Sequence, residues 1–117
     1  MNTMKRNVIS AIIPIALSLT FAVAFATSHE AAERGKALFE NPDFAGGKKA
    51  CSSCHPKGDG LLTAGTNAEF SIMGKNQKSL EEAINFCIVN ANKGKAIAAD
   101  SKEMQDIVSY IKSLESK

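Results

Sequence analysis

The chain has 117 residues, which is enough for one small domain. Its formal charge of +2 comes from 14 basic and 12 acidic side chains, and two of the basic ones, Lys5 and Arg6, stand at the N-terminus. The rest of the chain is therefore close to neutral, which gives no case for binding nucleic acid or an anionic membrane surface.

The first 26 residues have the pattern of a secretory signal peptide. Lys5 and Arg6 form a basic start, residues 8–25 are almost wholly apolar, and Ala24-Phe25-Ala26 is a small-x-small cleavage site. We therefore expect cleavage after Ala26, a periplasmic location, and a mature domain at 27–117 with no stable membrane insertion. The alternative is a retained anchor, since the apolar run approaches the length of a membrane span.

Apolar spacing predicts a first helix over about residues 30–40. Ser28 is its candidate N-cap, and Asn41-Pro42 should end it. Gly35 lies within the inward-facing stripe although glycine weakens a helix, which indicates a close crossing with another helix.

The segment Cys51-Ser52-Ser53-Cys54-His55 has the spacing of a c-type haem attachment site. Its two thiols can form thioether bonds with the vinyl groups of one haem, and the adjacent histidine can then bind the iron. We therefore expect one covalent haem c held by Cys51, Cys54 and His55. The haem would also give so short a chain an apolar body on which helices can pack.

Two other meanings of a Cys-x-x-Cys sequence fit less well. A redox dithiol needs a β-rich setting, which the surrounding residues do not indicate. A structural zinc site usually needs four ligands, and the remaining candidates, Cys87 and His29, are poorly spaced for that.

Residues 54–79 contain four glycines and no strong apolar period, which predicts a loop with one short helix at most. Met73 lies in this loop, 18 residues after His55, and is a candidate iron ligand or an apolar contact to the haem face. Between residues 48 and 95, seven lysines face four acidic residues. These lysines either steer an acidic redox partner or form an ordinary solvated surface.

A second helix is predicted over about residues 79–92. Ser79 and Glu82 form a capping-box pattern, and Lys93-Gly94 is the stop signal. The apolar face of this helix includes Cys87. Once the motif has used two cysteines, Cys87 is an odd thiol, so it is either a functional group or a small buried apolar residue.

A third helix is predicted over about residues 101–114, with Asp100 or Ser101 as its cap. Tyr110 should lie beside its buried stripe. That stripe comprises Met104, Ile107, Val108, Ile111 and Leu114.

The order of these signals, with Gly35 in the first helix, the CSSCH motif, a loop, and Tyr110 in the last helix, resembles the class I c-type cytochromes. The resemblance covers nearly all of the expected mature chain. It implies an all-α class I cytochrome c fold, with three main helices around one haem and Gly35 packed on Tyr110. It also implies electron transfer as the role.

The sixth iron ligand departs from that family. Class I members commonly have a methionine just before the last helix, but residues 94–100 contain neither Met nor His. The context of Cys87, in Ile84-Asn85-Phe86-Cys87, resembles the cysteine-bearing segment of thiosulfate dehydrogenase-type sulfur-oxidation cytochromes. This resemblance implies that Cys87 is the axial ligand. Met73 and a vacant position remain as alternatives, and Met104 better fits core packing.

The leading hypothesis is a periplasmic monohaem cytochrome that exchanges single electrons with periplasmic or membrane redox proteins, which favours an electron carrier over an enzyme and leaves that choice open. One alternative is a haem enzyme, or an enzyme subunit, that oxidises thiosulfate or another sulfur compound by means of Cys87. Another is a haem protein that binds an external ligand at an open sixth position.

Overall fold

The computed structural model describes residues 20–116, with side chains described for residues 27–115. These residues are mostly helical, as expected, and the small cytochrome c type of fold is confirmed. The main helices are α1 (Thr20–Phe39), α2 (Leu80–Asn90) and α3 (Lys102–Ser113). Short 3₁₀ turns lie at Phe44–Gly46, Cys51–Ser53, Pro56–Gly58 and Leu114–Ser116, and an antiparallel hairpin is formed by β1 (Phe70–Ile72) and β2 (Lys75–Gln77).

Helix α1 is already formed at Thr20, the first described residue, whereas the sequence predicted a start near residue 30. Ser28 therefore lies inside the helix and is not its N-cap; residues 20–29 contain no proline or glycine that would interrupt it. The expected signal peptide, residues 1–26, lies largely outside the described residues. The predicted end is confirmed: the helix stops before Asn41-Pro42, where the Asn41 side chain accepts a 2.9 Å hydrogen bond from the backbone N–H of Asp43. Among the described helices, none is sufficiently long and apolar to cross a membrane.

Helices α1 and α3 cross at Gly35, as the sequence predicted. A Cβ atom at Gly35 would overlap the backbone carbonyl of Asp106 and lie 2.9 Å from the Tyr110 Cβ. One turn further along α1, the ring of Phe39 contacts the ring of Tyr110, with centroids 5.1 Å apart. The absence of a side chain at Gly35 therefore allows the two backbones to come into direct contact.

An ion pair links α1 and α3 at the same crossing. Arg34 donates two hydrogen bonds to the buried carboxylate of Asp106, at 2.9 and 3.0 Å, and Lys102 approaches it at 3.2 Å. These hydrogen bonds, from Arg34 first and Lys102 second, lower the pKa of Asp106. The pair fixes the rotation of α1 against α3, and the apolar pattern of α3 gave no sign of it.

The caps of α2 and α3 follow the sequence. The Ser79 hydroxyl accepts from the Glu82 N–H at 3.1 Å, and the Ser101 hydroxyl accepts from the Met104 N–H at 3.2 Å. The Glu82 carboxylate reaches back to the N–H of Lys78, one residue before the N-cap. At the other end of α2 the left-handed residue is Lys93, with φ of 62°.

The buried face of α3 matches the predicted stripe, with one exchange. Tyr110 is buried within the stripe, whereas Val108 is only half-buried at its margin. The core joins α2 to α3, and its buried members are Ala64, Ile84, Ile88, Met104, Ile107 and Ile111.

The loop after the motif contains the hairpin that the sequence did not reveal. Its turn consists of Met73 and Gly74, both with positive φ, at 51° and 75°. Such two-residue turns are usually recognised by Asn-Gly or Asp-Gly, and a methionine at the first position hides the signal. The hairpin matters for the site because β1 contributes to the cavity described next.

Candidate haem site

The CSSCH segment folds into one tight turn. The backbone carbonyl of Cys51 accepts hydrogen bonds from the N–H of Cys54 at 3.2 Å and the N–H of His55 at 3.0 Å. The turn therefore brings the backbone of His55 next to that of Cys51.

The orientation of His55 is fixed by its own neighbours. The His55 Nδ1 lies 2.9 Å from the backbone carbonyl oxygen of Asp59, an atom that can only accept a hydrogen bond. The proton therefore resides on Nδ1, which leaves the Nε2 lone pair available to a metal. Sequence reasoning missed this contact, because any residue at position 59 supplies the same carbonyl.

A cavity of about 350 Å³ opens beside this turn. Cys51 and His55 lie on its wall, and so does Cys87 from α2. Most of the remaining wall is apolar, including Phe39, Leu61, Ala64, Phe70, Ile72, Leu80, Ala83, Ile84, Ile107 and Ile111. An apolar cavity with one free imidazole nitrogen and an attachment thiol fits a covalently bound haem.

The remaining candidates occupy different positions. Cys54 is exposed and does not line the cavity. Met73 is 76% exposed at the tip of the hairpin, and the residue before it, Ile72, lines the cavity instead. Met104 is fully buried in the core. The structure thus brings together Cys51, His55 and Cys87.

Comparison with known proteins identifies the family. Residues 34–117 match the family described as SoxA/TsdA, cytochrome c domain. The chain belongs to this family. The expected likeness to c-type cytochromes of the sulfur-oxidation type is thereby confirmed, and a cytochrome c domain implies covalently bound haem c.

One curated relative is the thiosulfate dehydrogenase of Allochromatium vinosum (strain ATCC 17899 / DSM 180 / NBRC 103801 / NCIMB 10441 / D). It is 30% identical over 81 residues, which cover 60% of this chain and 30% of the relative. The chain therefore spans less than a third of that protein's length. No solved structure matches the chain.

The surroundings of Cys51 and Cys87 raise the pKa values of both thiols. Burial raises the pKa of Cys87, and the neighbouring Cys51 and Cys54 raise it further. Burial also raises the pKa of Cys51, against a smaller opposing effect of the Asn92 amide. A cation bound next to Cys87 would act in the opposite direction and favour its thiolate.

Asn92 is a further residue of this cytochrome site that sequence reasoning missed. Its side chain is buried, and its Nδ2 lies 3.4 Å from the Cys51 sulfur. An asparagine near a helix end is usually explained as a cap or a turn residue, so no signal in the sequence pointed to the motif.

Proposed function

We propose that this protein is a periplasmic electron carrier with a single haem c, bound through Cys51 and Cys54 with His55 as proximal ligand and Cys87 as sixth ligand. The observation that carries the proposal is the apolar cavity whose wall includes Cys51, His55 and Cys87. The haem supplies the Fe(III)/Fe(II) couple, and the polypeptide supplies its environment.

Each residue has a distinct task in that environment. His55 presents Nε2 because the Asp59 carbonyl holds the proton on the other ring nitrogen. Cys87, as a thiolate, would place negative charge beside the metal and favour its oxidised state, whereas a thioether from Met73 would do the reverse. The apolar wall would exclude water, so electrostatic interactions between the iron and its ligands would be stronger than in water.

Four exposed lysines support exchange with an acidic protein partner. Lys48 and Lys49 precede the motif, while Lys93 and Lys95 follow α2. The two segments are joined, because the Lys48 N–H donates to the Asn92 carbonyl at 2.8 Å and the Lys95 N–H donates to Ala45 at 2.9 Å. We propose that this basic surface, next to the Cys51 thioether, is where a periplasmic or membrane redox protein approaches.

The ligand assignment is tested with two matched variants. In the purified ferric protein, Cys87→Ala should abolish the low-spin thiolate signature in electron paramagnetic resonance and raise the reduction potential, because the donor of negative charge is lost. Met73→Ala should leave both unchanged. If instead Met73→Ala removes the low-spin signal and Cys87→Ala does not, the ligand assignment is wrong.

Export and attachment are tested on the same material. Mass spectrometry of periplasmic protein should give a chain that starts at Thr27 and carries one haem. Loss of the haem from the acid-extracted polypeptide would contradict thioether attachment through Cys51 and Cys54.

The family supports a second candidate, a haem enzyme or subunit of sulfur-compound oxidation that uses Cys87. The discriminating assay is thiosulfate-dependent reduction of an artificial electron acceptor. Turnover that disappears in Cys87→Ala would favour the enzyme, and no turnover would favour the carrier. Rapid binding of carbon monoxide to the reduced wild-type protein would favour an open sixth position instead.

A further inference from the structure

Asn92 links three parts of the site through three hydrogen bonds. Its backbone N–H donates to the carbonyl of Cys87 at 3.0 Å, and its own carbonyl accepts from the Lys48 N–H at 2.8 Å. Its side-chain Nδ2 donates to the Cys51 sulfur at 3.4 Å. One residue thus ties the turn of α2 that carries Cys87 to both the backbone before the motif and the first attachment sulfur.

The segments around Asn92 are closely packed against each other. A Cβ atom at Gly47 would lie 3.1 Å from the Asn92 carbonyl oxygen, and one at Gly94 would lie 3.1 Å from Ile88 Cγ2 and 3.0 Å from the Ala45 carbonyl oxygen. Glycine at both positions lets the backbone before the motif lie directly against the end of α2. The side chain of Asn92 is enclosed here, with 5% of the residue exposed.

The bond to Cys51 is compatible with the attached state. A thioether sulfur keeps lone pairs and remains a weak acceptor after the thiol proton is replaced by carbon. The buried amide N–H would lose its partner if it left the sulfur, which is costly in an enclosed site. The contact can therefore persist in the mature protein.

We propose that Asn92 is a positioning residue that sets the placement of Cys87 relative to the Cys51-anchored edge of the haem, and thereby keeps Cys87 on the iron. This inference rests on the proposed function. Loss of the Asn92 amide should loosen the end of α2 and let Cys87 leave the iron more often.

The test compares side chains that keep or lose the amide donor. Asn92→Leu keeps the branched shape of the side chain without a donor, and Asn92→Gln keeps an amide. Asn90→Leu is the matched control, because Asn90 lies at the same helix end and its amide donates only locally, to the Phe86 carbonyl at 2.8 Å. Each variant is isolated as the ferric holoprotein, and mass spectrometry establishes that both thioether bonds are present.

The readouts are the high-spin fraction in electron paramagnetic resonance and the rate of cyanide binding, which requires Cys87 to leave first. Asn92→Leu should raise the cyanide rate about three- to tenfold, the ratio expected from one ordinary hydrogen bond. The rate of cyanide binding to Asn92→Gln should be closer to that of the wild type, and the rate for Asn90→Leu should equal the wild-type rate. If Asn92→Leu does not mature, Asn92→Ser, whose hydroxyl is too short to reach the sulfur, replaces it with the same expectation.

Two results would overturn the inference, and they can be told apart. If Cys87→Ala changes the spectrum but Asn92→Leu only lowers the melting temperature, Asn92 is purely structural and the ligand assignment survives. If Cys87→Ala leaves the spectrum unchanged, both the assignment and the role of Asn92 fail.

Discussion

Substitution of Gly35 by alanine tests the helix crossing on which the site is built. The added methyl group would overlap the carbonyl of Asp106 on α3 and lie 2.9 Å from the Tyr110 Cβ. The nearest atoms belong to the backbone of Asp106, so a change of side-chain rotamer cannot relieve the overlap. The two helices must move apart along the face that also carries the Phe39–Tyr110 contact.

Two effects of opposite sign determine how much Gly35→Ala changes the free energy of unfolding. Alanine improves the intrinsic stability of a helix by about 1 kcal/mol over glycine. Overpacking costs about 1–3 kcal/mol, and the upper end applies because a separation of roughly 0.5–1 Å already forfeits a quarter to a half of each dispersion contact. We expect a net loss of about 2 kcal/mol, which lowers the melting temperature of a domain this small by roughly 8–16 °C.

The assay is thermal unfolding of the holoprotein, followed in parallel by far-ultraviolet circular dichroism and by the Soret band. Ala37→Gly is the matched control, since Ala37 is exposed on the same helix. The free energy of unfolding of Ala37→Gly should fall by only about 1 kcal/mol, because glycine has a lower helix propensity than alanine. A melting temperature for Gly35→Ala equal to or above the wild type would refute the close crossing.

Three other predictions concern charge and the hairpin. Because the pKa of Asp106 is lowered in the fold, its contribution is present at neutral pH and fades as pH falls below about 4; the melting temperatures of wild type and Asp106→Asn should therefore converge in acid. Replacing Lys93 and Lys95 by glutamate should slow electron exchange with an acidic partner and weaken its salt dependence, while Lys36→Glu, on the exposed face of α1, should have little effect in stopped-flow measurements. Met73→Asn should stabilise the hairpin in denaturant unfolding, because asparagine tolerates positive φ, and should leave the low-spin signal intact. Loss of that signal would instead identify Met73 as a ligand.

Sequence by itself predicted the features that depend on neighbouring residues. The spacing of Cys51, Cys54 and His55 points to haem attachment because thioether formation constrains a few adjacent positions. The cap at Ser79 was predicted for the same reason, since a hydroxyl bonds to an N–H three residues on, and Ser101 was one of the two candidates for the cap of α3. Gly35 in α1 predicted the close crossing, and the resemblance to class I cytochromes implied Tyr110 as its partner, whereas the contact with the Asp106 carbonyl was not predicted.

Tertiary structure decided what lies between distant segments. Sequence left Cys87 and Met73 as competing candidates, and only the packed chain puts Cys87 on the cavity wall and Met73 at an exposed turn. The same holds for the Asn92 amide at the Cys51 sulfur and for the Asp59 carbonyl behind His55. The identity of a residue determines which chemistry it can perform. The distance between two residues that are far apart in the chain depends on how whole helices pack, and a local sequence pattern does not predict it.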